Sequence, residues 1–368
     1  MRFVLKTSYN RDIDVFRDRV HFFWYFLLVL VMLIAPLFAG TYFQSQLTLL
    51  FISAIAGTGL MVLVGYTGLV SLGHAAFLLL GAYVHTLLLK YHIPFVVSLP
   101  LAAIACGVFG MIVGLAALRT TGVYLAIATL AFAMIVEQVI KNWKSLTGGN
   151  NGLKVSDPTI FGFDLQSEVR VFGLDSEVSI FYYVCFVILV LVLFLIVNLL
   201  RAPTGRSFIA VRDSEISAQA MGVNLTAAKI RSFSLSAALT GIAGGLMAHQ
   251  IGHLFPDSFT IVDSIKLLML VVVGGLGSVH GVIFGAIFLI LLPEAISVLK
   301  GWLPQAMVYR GGLEPLIFGS ILILFLVFEP FGIYGRWQKI LLYFNQFPLY
   351  RKKTFKRQRS FLRTERVH

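Results

Sequence analysis

Hydrophobic positions in this chain come in long runs, separated by short polar or glycine-bearing gaps. A hydrocarbon layer of about 30 Å needs about 20 apolar residues of helix. Runs near 22–39, 46–64, 68–89, 95–118, 122–140, 180–200, 232–250 and 311–328 meet that need. The stretch 259–299 is too long for one span and is interrupted by Gly274-Gly275-Leu276-Gly277-Ser278, a cluster that weakens helix continuity. Dividing it into spans near 259–276 and 281–299 predicts about ten crossings, with eight to ten compatible with the pattern. The expected fold class is all-α, a polytopic transmembrane helix bundle. The run from Phe22 leads into Pro36 and Phe38 rather than a small-x-small cleavage site, so it reads as a span that stays.

Composition supports this reading. Of 368 residues, 58% are hydrophobic and 12% charged, whereas soluble domains carry about 25% charged residues. A bilayer supplies the apolar solvent that such a chain requires. Cys106 and Cys185 both lie within apolar runs and read as small packing residues, not as a disulfide pair. Charge then sets the orientation, because Lys and Arg accumulate in short cytoplasmic loops. Ten crossings with both termini cytoplasmic place 21 of the 29 basic residues inside and 8 outside. Nine crossings would put the ten basic residues of 336–366 outside, against that rule. A re-entrant pair of half-helices at 259–299 satisfies parity equally well. The chain thus divides into a basic cytoplasmic N-terminus (1–21), a transmembrane domain (22–330) and a basic cytoplasmic tail (331–368). Within the domain, 141–179 is an acidic outer loop expected in the periplasm, and 201–231 an inner loop expected in the cytoplasm.

The inner loop holds a short polar helix between a cap at Asp213 or Ser214 and a stop at Gly222. It reads either as a surface linker or as a docking helix. In the second case small residues admit a partner's backbone, and Arg212 and Glu215 set its register. The spacing Glu215-x-x-Ala218-x-x-x-Gly222 resembles the loop by which ABC-importer permeases engage their ATPase subunits. Around it, Gly205-Arg206, Ala210-Val211-Arg212 and Ser236-Ala237-Ala238-Leu239-x-Gly241-x-Ala243-Gly244 resemble the membrane permease of branched-chain amino-acid importers. The same resemblance runs through Gly65-Tyr66-x-Gly68-x-x-Ser71-Leu72-Gly73-His74-Ala75-Ala76-Phe77 and Ala126-Ile127-x-Thr129-Leu130-Ala131-Phe132. It continues in Leu146-Thr147-Gly148-Gly149-x-Asn151-Gly152-Leu153 and Gly274-Gly275-Leu276-Gly277, spanning roughly 46–330 in family order. The long basic tail departs from the family pattern.

The resemblance implies a bacterial inner-membrane complex with a second homologous permease subunit, two ATP-binding cassette subunits and a periplasmic substrate-binding protein. In that complex Gly205, Arg206, Arg212, Asp213, Glu215, Ala218 and Gly222 form the ATPase-coupling loop. ATP would be used only by the partners. No Gly-Lys dipeptide occurs, so the phosphate-cradling loop G-x-x-x-x-G-K-[ST] is excluded, and no H-E-x-x-H or C-x-x-C metal pattern is present. No catalytic residue, metal site or bound cofactor is expected.

Substrate passage points to the two glycine-interrupted regions. Broken helices expose backbone groups near the midplane, although glycines in membrane helices also mark close packing. The candidates are Gly65, Gly68, Ser71, Gly73 and His74 in the first half and Gly274, Gly275 and Gly277 in the second. His74 reads as a satisfied packing residue or as a ligand. Glu137 either meets a substrate ammonium or pairs with Lys141 one turn on. Thr147, Gly148, Gly149 and Asn151 suit a tight turn with positive φ, which is a plain loop or a periplasmic gate. Competing readings are a urea or short-amide permease of the same architecture and an ion-coupled transporter using Glu137, Asp263 or Glu294. The tail interleaves aromatic and basic residues, so anionic lipid is a candidate partner there. Nothing else in the chain supports nucleic-acid binding.

Overall fold

The computed structural model describes residues 19–38, 40–120, 122–160, 163–164, 168–170, 177–302, 313–329 and 331–346. The basic N-terminus up to residue 18, part of the acidic outer loop and the tail from 347 lie outside the described residues. The first half contains α1 (Arg19–Phe38), α2 (Thr41–Met61, continued by a π-helical turn Val62–Tyr66), α3 (His74–Lys90), α4 (Phe95–Ala116), α5 (Val123–Asn142) and the single turn α6 (Lys144–Thr147). Five two- or three-residue strands follow: β1 (Leu153–Lys154), β2 (Thr159–Ile160), β3 (Phe163–Asp164), β4 (Glu168–Arg170) and β5 (Glu177–Ser179). The second half contains α7 (Ile180–Arg201), α8 (Pro203–Asp213), α9 (Glu215–Ala220), α10 (Leu225–Ile251), β6 (His253–Leu254), α11 (Ile261–Gly274), α12 (Val279–Trp302), α13 (Leu313–Phe328) and α14 (Gly332–Gln346).

Each apolar run of the sequence coincides with a helix. Among the described residues, six helices are long and apolar enough to cross a membrane: α2, α4, α5, α7, α10 and α12. Helix α11, with 14 residues, reaches only about 21 Å at 1.5 Å per residue. Two boundaries differ from the hydropathy. The run at 68–89 becomes helical only at His74, because residues 68–73 are non-helical and Gly68 adopts φ +76°. Conversely, α10 starts at Leu225, well before the apolar run at 232. Asn224 caps it by accepting from Ala227 N at 3.0 Å, and the charge of Lys229 within its first turns is matched by Glu215.

Helix α10 is the centre of the bundle, packed against α4, α3 and α2. Its small residues allow backbone-to-backbone approach, the usual device where lipid removes the hydrophobic drive between helices. A β-carbon on Gly81 would lie 2.2 Å from Gly241 O, and one on Gly244 would lie 2.1 Å from Leu78 O. Large side chains point both ways. Phe233 and Leu246 of α10 are fully buried, while Ile104 and Ile112 of α4, Ile135 of α5 and Leu191 and Phe194 of α7 face outward. In water that outer surface would be an aggregation-prone patch; in lipid it is solvated.

One end of the bundle is tied by several elements. There β1 pairs antiparallel with β6 through Leu153↔Leu254 and Lys154↔His253. Lys141 bridges Glu137 and Asp257, each at 2.6 Å. Gln250 Nε2 donates to Ser45 Oγ at 2.6 Å. The opposite end gathers the π-helical turn of α2, helices α8 and α9, and the Gly275–Ser278 turn.

Candidate functional site

The segment between α7 and α10 is folded rather than open loop. Gly205 is buried, and a β-carbon there would lie 2.4 Å from Leu199 O, so a glycine lets α8 fold back on α7. Arg206 Nη1 donates to Arg201 O at 2.7 Å. Of the two sequence candidates for the cap of α9, the structure uses Ser214, whose Oγ accepts from Ser217 N at 3.3 Å. Gly222 ends that segment at φ +81°, with Val223 N donating to Ala218 O at 3.0 Å. Space beside Gly222 is open, so its requirement is backbone conformation and not close approach.

Glu215 turns inward, 2.9 Å from Lys229 Nζ. The lysine side chain is only 4% exposed, and a charge so placed needs its partner. Ala218 is buried beside it. What α9 and its end present outward is Ile216 and Met221, 84% and 85% exposed. Sequence reading missed both. The available signal was an isoleucine in an otherwise small and polar helix. Lys229 was also missed, since a partner 14 residues away has no local spacing signature.

Arg212 reaches out of this segment into the bundle. Its Nη1 donates to Gly65 O at 3.1 Å, while Nε and Nη2 donate to Asp213 Oδ1 at 3.0 and 2.9 Å. Its stem lies on Gly68, where a β-carbon would be 3.0 Å from Arg212 Cγ, and Gly277 faces Arg212 Nη1. The two glycine breaks also meet one another. A β-carbon on Gly65 would sit 2.8 Å from Gly277 N, and that N–H donates to Met61 Sδ at 3.1 Å. Gly275, at φ +125°, abuts Phe331 and Tyr334, and Gly274 packs on Gly281 O. Residues of the α8–α9 segment and of the glycine breaks, distant in sequence, thus converge at one end.

Ser71, Gly73 and His74 lie deeper. His74 Nε2 bonds Ser236 Oγ at 2.8 Å and Nδ1 bonds Ser71 Oγ at 3.0 Å. Ser236 is 11 residues into α10, about 16 Å along its axis, so this network sits well inside the bundle. Non-helical backbone at such depth must be satisfied by protein. Leu72 N donates to Thr129 Oγ1 at 3.0 Å, Gly73 N to Ser71 Oγ at 3.3 Å and Ala75 N to Ser264 Oγ at 2.9 Å. Gly73 itself presses on Thr129 O, to within 2.3 Å of a would-be β-carbon. His74 is fully buried with both ring nitrogens bonded.

The third group of candidates lies at the β1–β6 end. Glu137 pairs with Lys141, and Thr147 Oγ1 donates to Ile140 O at 2.7 Å. Gly148 and Gly149 take φ +75° and +59°, and Asn151 completes the short 3₁₀ turn that follows. The C-terminal half of α5 next to this turn carries a shallow concavity lined by Met134, Ile135, Gln138, Val139 and Asn142. No group of three or more His, Cys, Asp or Glu among the described residues could hold a metal ion.

Residues 42–328 match the family model described as branched-chain amino acid transport system / permease component. The chain is 36% identical over 301 residues to the high-affinity branched-chain amino acid transport system permease protein LivM of Salmonella typhimurium, covering 78% of this chain and 68% of that one. It is 35% identical over 309 residues to LivM of Escherichia coli K12, covering 80% and 70%. A shorter likeness, 28% over 155 residues (41% of this chain and 42% of the relative), is to the fructose import permease protein FrcC of Rhizobium meliloti. No solved structure matches. The match of the family model over residues 42–328 and the identities to LivM settle the assignment: the chain belongs to the permease components of branched-chain amino acid transport systems.

Proposed function

We propose that the chain carries branched-chain amino acids across a bacterial cytoplasmic membrane as one permease subunit of an ATP-driven importer. Its partners are a second permease, two ATPase subunits and a periplasmic binding protein. The observation that carries the reading is Arg212, which joins the α8–α9 segment to the carbonyl of Gly65 and lies against Gly68 and Gly277. An ATPase pressing on exposed Ile216 and Met221 would move α9, and Arg212 would pass that motion to two glycine-broken helices at once. Ten spans, with both termini and the Arg212 end in the cytoplasm and the β1–β6 end in the periplasm, follow from the distribution of Lys and Arg. Ion coupling is less well supported. Glu137 is paired with Lys141, Asp263 with Lys266, and Glu294 accepts from Tyr42, which leaves the three candidate acids occupied. The exposed face of α5, with its concavity, is the surface we assign to the second permease and to the substrate path between the two.

The whole complex in proteoliposomes tests the function. ATP-dependent uptake of radiolabelled leucine, with no uptake of urea, is expected; urea uptake without leucine uptake would overturn the substrate. Single cysteines at Asn150 and Ser217, with Cys106 and Cys185 replaced by alanine, test orientation. Intact cells should react with an impermeant maleimide at 150 and not at 217. Labelling at 217 would reverse the topology.

A further inference from the structure

Helix α14 has no role in the reading above, yet it is the most sharply amphipathic of the described helices. It begins four residues after Phe328, the last residue of α13. Trp337, Ile340, Leu341 and Phe344 fall at the i, i+3, i+4, i+7 spacing of one helix face, and all four are exposed, Trp337 at 50% and Phe344 at 71%. The same stripe begins at Ile333, which packs on the apolar cluster of Met269, Val273, Ile296 and Phe318. Arg336, Gln338 and Lys339 lie on the rest of the circumference, with Leu342 and Tyr343 the exceptions. Arg336 and Lys339 both bind Glu329, at 2.6 and 3.1 Å, pinning the start of α14 to the end of α13. Its first turn is docked firmly. A β-carbon on Gly332 would lie 2.6 Å from Val273 O, and Tyr334 stacks on His280 with ring centroids 5.5 Å apart.

We propose that α14 is a lipid-binding interfacial helix, lying in the headgroup layer of an anionic bilayer with Trp337, Ile340, Leu341 and Phe344 turned toward the acyl chains. Several observations select this occupant. The stripe runs from the buried apolar cluster that Ile333 touches outward to Trp337, whose ring lies 6.3 Å from that of half-buried Phe284. The helix starts where α13 stops, and the ten-span reading proposed above carries α13 across the membrane, so a bilayer surface lies there. Residues 347–368 add eight Lys or Arg against one Glu, the complement of an anionic leaflet, and such residues bind it additively within a Debye length. An amphipathic face with basic flanks is the sequence form of a helix that lies in the interface plane. The consequence is regulatory. The docked first turn of α14 touches Gly275, two residues from the Gly277 that faces Arg212, so lipid that fixes α14 also restrains the turn that Arg212 touches.

The inference rests on placement of the bundle across a membrane and not on the solute carried, so a failed leucine test leaves the following measurement intact. Nitroxides are placed at Leu341→Cys and Gln338→Cys in the full chain lacking Cys106 and Cys185, assembled with its partners. The complex is reconstituted in vesicles with or without phosphatidylglycerol. In phosphatidylglycerol vesicles the nitroxide at 341 should be relaxed several-fold more by oxygen than by a water-soluble nickel chelate, with the reverse at 338. The contrast should shrink in neutral vesicles and in high salt. Relaxation by the chelate at 341 in anionic vesicles would overturn the proposal. Protection of 341 from both reagents would overturn it too, by showing a protein surface, such as an ATPase, in place of lipid.

Discussion

Two interruptions of helix in this chain read alike in sequence and are built differently. The first, residues 68–73, is exposed at Gly68 and Val70 but closed from Ser71 inward. Thr129, Ser71, Ser236 and Ser264 satisfy its backbone or its histidine, and Ser71 and His74 are fully buried. The second, the turn at 275–278, has a thioether acceptor and a serine cap at Gly281 N, lies beside the guanidinium of Arg212, and exposes Leu276. Thioether sulfur is a weak acceptor, and a surface guanidinium exchanges readily with water. A break closed by hydroxyls inside the bundle is suited to be an anchor. A break closed by a thioether and bordered by one arginine is suited to be a joint.

Substitutions in the anchor should act on folding. Gly73→Val would drive side-chain atoms into Thr129 O, where even a β-carbon sits at 2.3 Å. Overpacking of this kind costs about 3 kcal/mol, so a large loss of folded protein is expected in detergent-resistance and melting assays. Near-normal melting with lost uptake would place the first break in the mechanism instead. His74→Leu leaves the Ser71 and Ser236 hydroxyls without their partner, an expected loss of about 1–3 kcal/mol in stability. His74→Gln should recover part of it.

Between anchor and joint lies the Glu215–Lys229 pair. Glu215→Gln strands a buried lysine, with an expected loss of about 1–3 kcal/mol, while Glu215→Gln with Lys229→Met should be closer to wild type. A double-mutant cycle on thermal unfolding measures the difference. Additive losses would show that the pair is not coupled. The smallest effect is expected at the β1–β6 end. Lys141→Ala removes two partly exposed ion pairs, each within the ~0.2–1 kcal/mol of such bridges, and leaves the strand pairing in place.

Much of the fold was legible because a bilayer demands long apolar helices, so runs such as 95–118 and 180–200 mark α4 and α7 almost to the residue. The position of the first break was not legible. Hydropathy stays high from Val64 through Leu80, and it is side chains of α5, α10 and α11 that make non-helical backbone tolerable there. Site geometry was visible only in part. The glycines and Arg212 could be singled out one at a time, and the positive φ of Gly148 and Gly222 followed from residue type. The meeting of Gly65, Gly277 and Arg212 is tertiary, spanning more than 200 residues, and no local spacing encodes it. Ile216 and Met221 carry no spacing signature of their own among the charged and small residues around them.

The central claim is that Arg212 transmits motion from the α8–α9 segment to the two glycine breaks. Its most direct test is Arg212→Gln in the assembled complex, comparing leucine uptake with ATP hydrolysis in the same proteoliposomes. Coupling between sites amounts to about 5–150-fold, so uptake per complex should fall by about tenfold or more, with assembly, melting and basal ATP hydrolysis retained. Uptake per ATP equal to wild type would contradict the account.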